Sequence, residues 1–376
     1  MTAEICLRPD AVFDAGRLHP GAVLVVGGGR VRILPAAPAG EIPRAIAGVV
    51  SRGLIDLQVN GGGGVLLNAT PTCDGIAAII AAHRRFGTTG LLPTVITDAP
   101  EVTEAAVRAA IAARGMAGFL GLHIEGPHIA VAKRGTHDAR FIRPLDARTR
   151  HLAEGLRAAD VPVLLTLAPE AARAEDIADL TAMGVVVSIG HSNATAEQVA
   201  TALAAGARNF THLFNAMSPM EGRAPGVVGA ALLSEADIGI ICDGIHVSDD
   251  MVRLAVKAHG ADRMHLVSDA MPTVGGPDRF TLYGREVHLR EGALVNAEGG
   301  LAGAHVTMAE SVLRLTRHVG LSLETALCMA ITNPARVIGA DAGIDGAKVQ
   351  DLLVWDGRSL PQWLCPEDSG PLAAPA

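Results

Sequence analysis

From about Val49 onward the chain alternates short apolar runs with Ala-rich stretches of helical periodicity. The runs predict eight strands: Gly53–Val59, Leu91–Ile96, Phe119–Glu125, Val163–Leu167, Val185–Gly190, Phe210–Leu213, Ile238–Cys242 and His265–Asp269. The intervening stretches predict helices over Ile76–Phe86, Val102–Arg114, Ala171–Met183, Ala196–Ala205 and Met251–His259. Alternation of this kind implies parallel strands joined by crossover helices, and eight strands are the number that closes an (α/β)8 barrel.

The ends of the chain read differently. Residues 1–49 alternate apolar segments such as Ala22-Val-Leu-Val-Val with Gly and Pro clusters, which are strand and turn signals. After Asp269, Phe280–Val295 reads as an inserted hairpin, followed by helices over Val306–His318 and Leu323–Ile331. Asp351-Leu-Leu-Val-Trp is again strand-like and is expected to pair with the N-terminal strands. The expected division is a small β-sandwich domain from residues 1–49 and 335–376 beside a barrel over residues 50–334. The Pro- and Ala-rich tail after Pro366 reads as a frayed end.

Composition narrows the function. Apolar residues make up 49% of the 376 residues and charged ones 19%, as in a compact folded chain. A net charge of −8, no basic stripe and only 3% aromatic residues argue against a nucleic-acid partner. Cys6, Cys73, Cys242, Cys328 and Cys365 form no CxxC pair and are odd in number, which favours a reducing cytoplasm over a disulfide framework or a cysteine-based zinc site. The N-terminus has no leader pattern and no apolar run approaches membrane-spanning length, so the protein is expected to be soluble and unprocessed.

Chemistry enters where the strands stop. Glu125, His191, His212, His246 and Asp269 all sit at or just beyond the ends of apolar runs, where barrel enzymes carry their reactive groups. Glu125, His191 and His212 supply the nitrogen and carboxylate donors of a catalytic metal site, which keeps three protein ligands and one open position. Gly126 and Pro127 predict a sharp turn that keeps the Glu125 carboxylate at the strand mouth, and a Ser or Asn of His191-Ser-Asn-Ala-Thr is placed to cap the helix near Ala196. A single such residue is more often a surface or hydrogen-bonded group; three on different strands are not easily so explained. Asp269 alone fits equally a proton acceptor beside a metal-activated water or a helix N-cap. Arg223 alone reads as a solvated arginine of the Glu221-Gly-Arg-Ala-Pro loop. His19, His83, His151, His259, His288 and His318 lack the strand-end pattern and read as ordinary helix or loop histidines.

These motifs together resemble the N-acetylglucosamine-6-phosphate deacetylase family of the amidohydrolase superfamily. The match runs from Gly53-Leu-Ile-Asp-Leu-Gln-Val-Asn-Gly through Gly121-Leu-His-Ile-Glu-Gly-Pro-His, Lys133-Arg-Gly-Thr-His, Ser188-Ile-Gly-His-Ser, Thr211-His-Leu-Phe-Asn-Ala-Met, Asp243-Gly-Ile-His-Val and Val267-Ser-Asp-Ala to Leu301-Ala-Gly and Thr332-Asn-Pro-Ala. The resemblance implies the barrel with its β-sandwich, and deacetylation of an amino-sugar 6-phosphate to acetate and the free amine. It implies Glu125, His191 and His212 as ligands of one divalent metal, Asp269 as general acid/base acting on a metal-activated water, and His137 as the group that polarises the acetyl carbonyl. It also implies phosphate contacts from His246 and Arg223, the latter reaching the neighbouring subunit of a homodimer, and sugar contacts from Thr136, Asn215, Ala216, Leu301, Ala302 and Gly303.

Strand one bears on metal count. Related barrels hold a second ion with His-x-His there and a carbamylated lysine on strand four, but this chain has Gln58-Val-Asn60, and Val163–Pro169 contains no lysine. Amides bind transition metals poorly beside imidazole, so one metal per subunit is expected, with Gln58 and Asn60 orienting water or substrate. Zinc is the expected ion; iron, manganese and cobalt suit the same donors. A cyclic-amide hydrolase of the dihydroorotase or hydantoinase type would show the two missing features, and a non-catalytic sugar-phosphate-binding barrel would have lost Asp269 or a ligand. His128 and His305 depart from the family pattern and are expected near the sugar pocket, which leaves the choice between glucosamine and galactosamine phosphates open.

Overall fold

The structure, a computed structural model, describes residues 4–297 and 299–365. The stretch from Pro366, read above as frayed, lies outside them. Eight parallel strands hydrogen-bond in chain order: Leu54–Val59, Thr88–Ile96, Leu122–Glu125, Val163–Leu167, Val186–Ile189, Asn209–Phe210, Asp237–Ile240 and Met264–Leu266. Val59 pairs with Ala270 in a parallel bridge, and Asp269 N donates to Gln58 O at 3.0 Å, so the last strand meets the first and the barrel closes. Strands three to eight are buried along their whole length, which explains why they read as continuous apolar runs rather than alternating ones.

The strands that carry the candidate residues are shorter than their apolar runs. The expected strands ended at Gly190, Leu213, Cys242 and Asp269, whereas the ladders stop at Ile189, Phe210, Ile240 and Leu266. In three of these endings the chain leaves the extended region at the site residue itself: His191, His212 and Asp269 have φ of 48°, 32° and 52°. Non-glycine residues in that region are held there by their surroundings, and they gather at functional sites.

Among the described residues, three α-helices have no counterpart in the periodicity. Ala147–Ala158 buries only Thr149, Ala153 and Leu156, a stripe too narrow to stand out among its charged residues. Gly226–Leu233 is apolar nearly all round and shows no 3.6-residue period, and Asn333–Ile338 is a short segment. The two helices expected after residue 306 each change to a wider π-helical turn part-way, at Leu315–Val319 and Cys328–Thr332.

The inserted hairpin is larger than expected. Arg279–Leu282, Arg285–Arg290, Ala293–Asn296 and Leu301–Ala304 form a four-stranded antiparallel sheet. Its last strand is pinned to the end of barrel strand eight, with Ala304 N donating to Asp269 O at 3.0 Å and Met271 N to Ala304 O at 3.1 Å. That attachment carries Leu301 and Gly303 to the barrel mouth.

Both chain ends join in a seven-stranded sheet, in which Leu352–Trp355 pairs antiparallel with Arg44–Arg52. Side chains alternate across this strand: Leu352 and Val354 pack into the sheet's own apolar cluster, Leu353 and Trp355 into the barrel's. The Trp355 indole is buried and donates to Ser51 Oγ at 2.9 Å, so one residue welds the two layers.

Candidate active site

Glu125 ends the third barrel strand, and Gly126 at φ 79° turns the chain immediately after it. A Cβ at Gly126 would lie 2.2 Å from Thr97 Oγ1, so only glycine lets the strand-two end come this close. His191 and His212 follow strands five and six. The expected helix cap after His191 is Thr195, in a capping box with Gln198, instead of the Ser192 or Asn193 anticipated. Ser192 Oγ and Asn193 N donate to the Glu170 carboxylate at 2.7 and 2.6 Å, so this stretch is tied to the preceding loop and the helix begins only at Ala196.

The three side chains converge. Glu125 Oε1 lies 3.1 Å from His191 Nε2 and 3.1 Å from His212 Nε2, and the two Nε2 atoms are 3.1 Å apart. All three residues are buried. His191 donates its Nδ1–H to Lys133 O at 2.9 Å, so its Nε2 presents a lone pair when the ring is neutral. His212 Nδ1 is buried without a partner. The donor set fits a divalent cation. A tetrahedral ion about 2.1 Å from each donor needs donor separations of about 3.4 Å, close to those found. Burial opposes ionisation of Glu125, yet the His191 and His212 rings beside it, when protonated at Nε2, overcome it and hold the carboxyl well below the usual range.

Asp269 faces this cluster. Its Oδ1 accepts from Asn60 Nδ2 at 2.7 Å and from Gln58 Nε2 at 3.1 Å, and Gln58 Nε2 also donates to Glu125 Oε1 at 3.0 Å. Asp269 therefore caps no helix, and the two amides hold carboxylates. Gln58 is buried behind them, not on the cavity wall. With Oδ1 doubly engaged, Oδ2 is the oxygen left for the cavity. Burial first, then the Glu125 charge, raises the Asp269 carboxyl to about 6.

A cavity of about 190 Å³ opens over these groups. Asn60, Thr136, His137, Asn215, Ala216, His246, Leu301 and Gly303 line it together with Glu125, His191, His212 and Asp269. His137 packs its ring 4.4 Å from that of His191, centroid to centroid, and burial followed by the His191 charge depresses its pKa to about 3. His246 sits in a turn built by one carboxylate: Asp243 Oδ1 accepts from Ile245 N and His246 N at 2.8 Å each, and Asp243 Oδ2 accepts from His246 Nδ1 at 2.6 Å.

Several expected residues lie elsewhere. Ala302 is buried behind the strand and does not line the cavity. Arg223 lies outside the cavity of its own chain, in a separate cleft between Asn193–Glu197 and Ser218–Gly226. His128 is tied to Arg143 O and Thr149 Oγ1, and His305 to Thr273 Oγ1; neither lines the cavity, against the expectation of a place beside the sugar. His83 is a buried helix histidine bonded to Gly61 O. Sequence reasoning missed Ile96 and Met271 on the cavity wall and Thr97 behind His137. Thr97 closes the run Leu91-Leu-Pro-Thr-Val-Ile-Thr, and its place at a barrel strand end was the available signal.

Comparison with known proteins identifies relatives of one kind. The chain is 41% identical to the N-acetylgalactosamine-6-phosphate deacetylase of Shewanella sp. (strain ANA-3) over 335 residues, 86% of this chain and 84% of the relative. It is 36% identical to the N-acetylglucosamine-6-phosphate deacetylase of Haemophilus influenzae over 316 residues, 81% of this chain and 82% of the relative. The crystal structure of N-acetylglucosamine-6-phosphate deacetylase from Pasteurella multocida superposes with a TM-score of 0.86 at 36% identity, covering 94% of this chain and 95% of that one. An enamidase of the amidohydrolase superfamily, 14% identical with a TM-score of 0.58, shares the fold. No family model matches the chain.

Proposed function

The chain belongs to the N-acetylglucosamine-6-phosphate deacetylase family, and from that premise we propose that it hydrolyses the N-acetyl group of an amino-sugar 6-phosphate to acetate and the free amine. The observation that carries this reading is the buried Glu125, His191 and His212 set facing the Asp269 carboxylate across one cavity. N-acetylglucosamine 6-phosphate is the first substrate to test; the galactosamine epimer belongs beside it, because one relative is named for that sugar.

Glu125, His191 and His212 would hold one divalent ion, proposed to be zinc, which when bound acidifies water and polarises a carbonyl. Asp269 takes a proton from the attacking water through its cavity-facing oxygen and returns it to the departing amine. Asn60 and Gln58 keep that carboxylate aimed. His137 donates to the acetyl oxygen as charge gathers there. Thr136, Asn215, Ala216, Leu301 and Gly303 position the sugar, and His246, held by Asp243, receives the phosphate. Arg223 completes the phosphate site of the neighbouring subunit in a homodimer. Its place in a different cleft of its own chain, on a loop that exposes Met220, supports that arrangement. The free thiols of Cys6, Cys73, Cys242 and Cys328 support a cytoplasmic setting. Among the described residues no helix is long and apolar enough to cross a membrane.

Acetate release from N-acetylglucosamine 6-phosphate is expected to stop when the purified protein is stripped with a chelator and to return on adding zinc. Full turnover by protein shown to be metal-free would overturn the reading. Arg223→Ala is expected to raise KM for the phosphorylated substrate by about tenfold or more, the worth of a charge-assisted hydrogen bond, and to leave the unphosphorylated sugar unaffected. Equal effects on both sugars would remove Arg223 from the phosphate site.

A further inference from the structure

His137 can polarise a carbonyl only if the nitrogen that faces the cavity carries its proton. A neutral imidazole has one N–H, and hydrogen positions follow from partners. The tautomer of the neutral ring is therefore read from what each nitrogen faces. Its Nδ1 is 2.8 Å from Thr97 Oγ1, which leaves Nε2 as the nitrogen available to substrate. Everything then turns on which way the Thr97 hydroxyl points.

That hydroxyl has two acceptors within reach. One is His137 Nδ1 at 2.8 Å; the other is Glu125 O at 3.3 Å. If the proton goes to Glu125 O, Thr97 must accept from an Nδ1–H, and the cavity receives a bare Nε2 that cannot stabilise an oxyanion. If it goes to His137 Nδ1, the ring carries Nε2–H toward the substrate. The first distance fits a bond in either direction, whereas the second lies beyond the roughly 2.5–3.0 Å usual for an O–H donor, so His137 Nδ1 is the better acceptor of the hydroxyl proton. We infer that Thr97 is a positioning residue that donates to His137 Nδ1 and so fixes the Nε2–H tautomer needed to polarise the acetyl oxygen. The inference rests on the deacetylase reading of His137 and adds the group that sets its proton.

The surroundings hold Thr97 rigidly for this task. It is buried, its carbonyl accepts from Tyr283 Oη of the inserted sheet, and glycine at position 126 admits its hydroxyl beside the Glu125 strand end. The inserted sheet thus reaches the catalytic ring through two bonds, Tyr283 to Thr97 and Thr97 to His137.

The test uses the zinc-loaded full chain. Thr97→Val, which keeps the shape and removes the donor, is expected to lower kcat by about tenfold to a hundredfold, the usual cost of losing such an outer hydrogen bond, with zinc content unchanged and KM moved less than about threefold. Thr97→Ser keeps the hydroxyl and is expected to restore most of the rate. In a His137→Gln background the valine substitution is expected to cost nothing further, because the ring it orients is gone. Nitrogen-15 NMR of the wild-type protein supplies a readout independent of turnover: a single Nε2–H tautomer is expected for His137, with the Nδ1–H form appearing in Thr97→Val. A wild-type Nδ1–H tautomer, or full loss of rate on adding Thr97→Val to His137→Gln, would overturn the inference even if the valine protein proved unstable. If His137→Gln is inactive but Thr97→Val is not, only this inference falls. If His137→Gln itself turns over normally, the carbonyl role of His137 falls with it.

Discussion

An Asp269→Asn enzyme is expected to bind zinc as the wild type does and to deacetylate N-acetylglucosamine 6-phosphate about a thousandfold more slowly, within the range that general acid–base groups contribute. The geometry makes this substitution unusually clean. Asp269 Oδ1 accepts from both Asn60 and Gln58. An asparagine must place its only carbonyl oxygen there to satisfy those two donors, which puts its NH2 where Oδ2 faced the cavity. The side chain keeps its shape and its φ of 52°, which asparagine tolerates better than most residues, but the cavity now meets a donor in place of a proton acceptor. Glu125, His191 and His212 keep their mutual contacts, so metal content measured on the purified variant stays at the wild-type value. A rate near normal would show that the proton goes elsewhere.

How much of this was legible beforehand differs between the scaffold and the site. The barrel was, because parallel strands buried on both faces leave apolar runs, and the strand from Val163 to Leu167 was found to the residue. The strand ends were not, because His191, His212 and Asp269 turn out of the extended region where nothing in an apolar run marks the departure. Helix Ala147–Ala158 escaped because three buried positions cannot outweigh its charged face. Within the site, residues whose chemistry announces itself were visible: a carboxylate and two imidazoles at three strand ends. Residues that act through a single hydroxyl, as Thr97 does, are marked only by their place at a strand end, a weak signal since threonine in a strand is commonplace. Partner choice was also hidden. Gln58 and Asn60 were expected to orient water or substrate; their NH2 groups donate to Asp269, a contact between the first strand and the segment after the last that exists only once the barrel closes, while Asn60 also lines the cavity.

Glu125→Gln is expected to do what Asp269→Asn does not, and the contrast separates holding the metal from moving the proton. The carboxylate is 2% exposed and contributes the only negative charge among the three proposed ligands. Glutamine can leave its oxygen where Glu125 Oε1 now accepts from Gln58, so the shape survives while the charge is lost. A neutral amide is a poor partner for a divalent ion, and zinc affinity is expected to fall by about a hundredfold or more, with turnover lost alongside it. The thermal readout follows from mass action. An ion that binds the folded chain stabilises it by about 2.7 kcal/mol at a free concentration one hundred times Kd, and by almost nothing once Kd exceeds that concentration. Wild type and Asp269→Asn should therefore both melt higher on adding zinc, and Glu125→Gln should not. Stoichiometric zinc in dialysed Glu125→Gln protein would mean that the third ligand is another cavity group, with Asp269 and His137 the residues placed to serve.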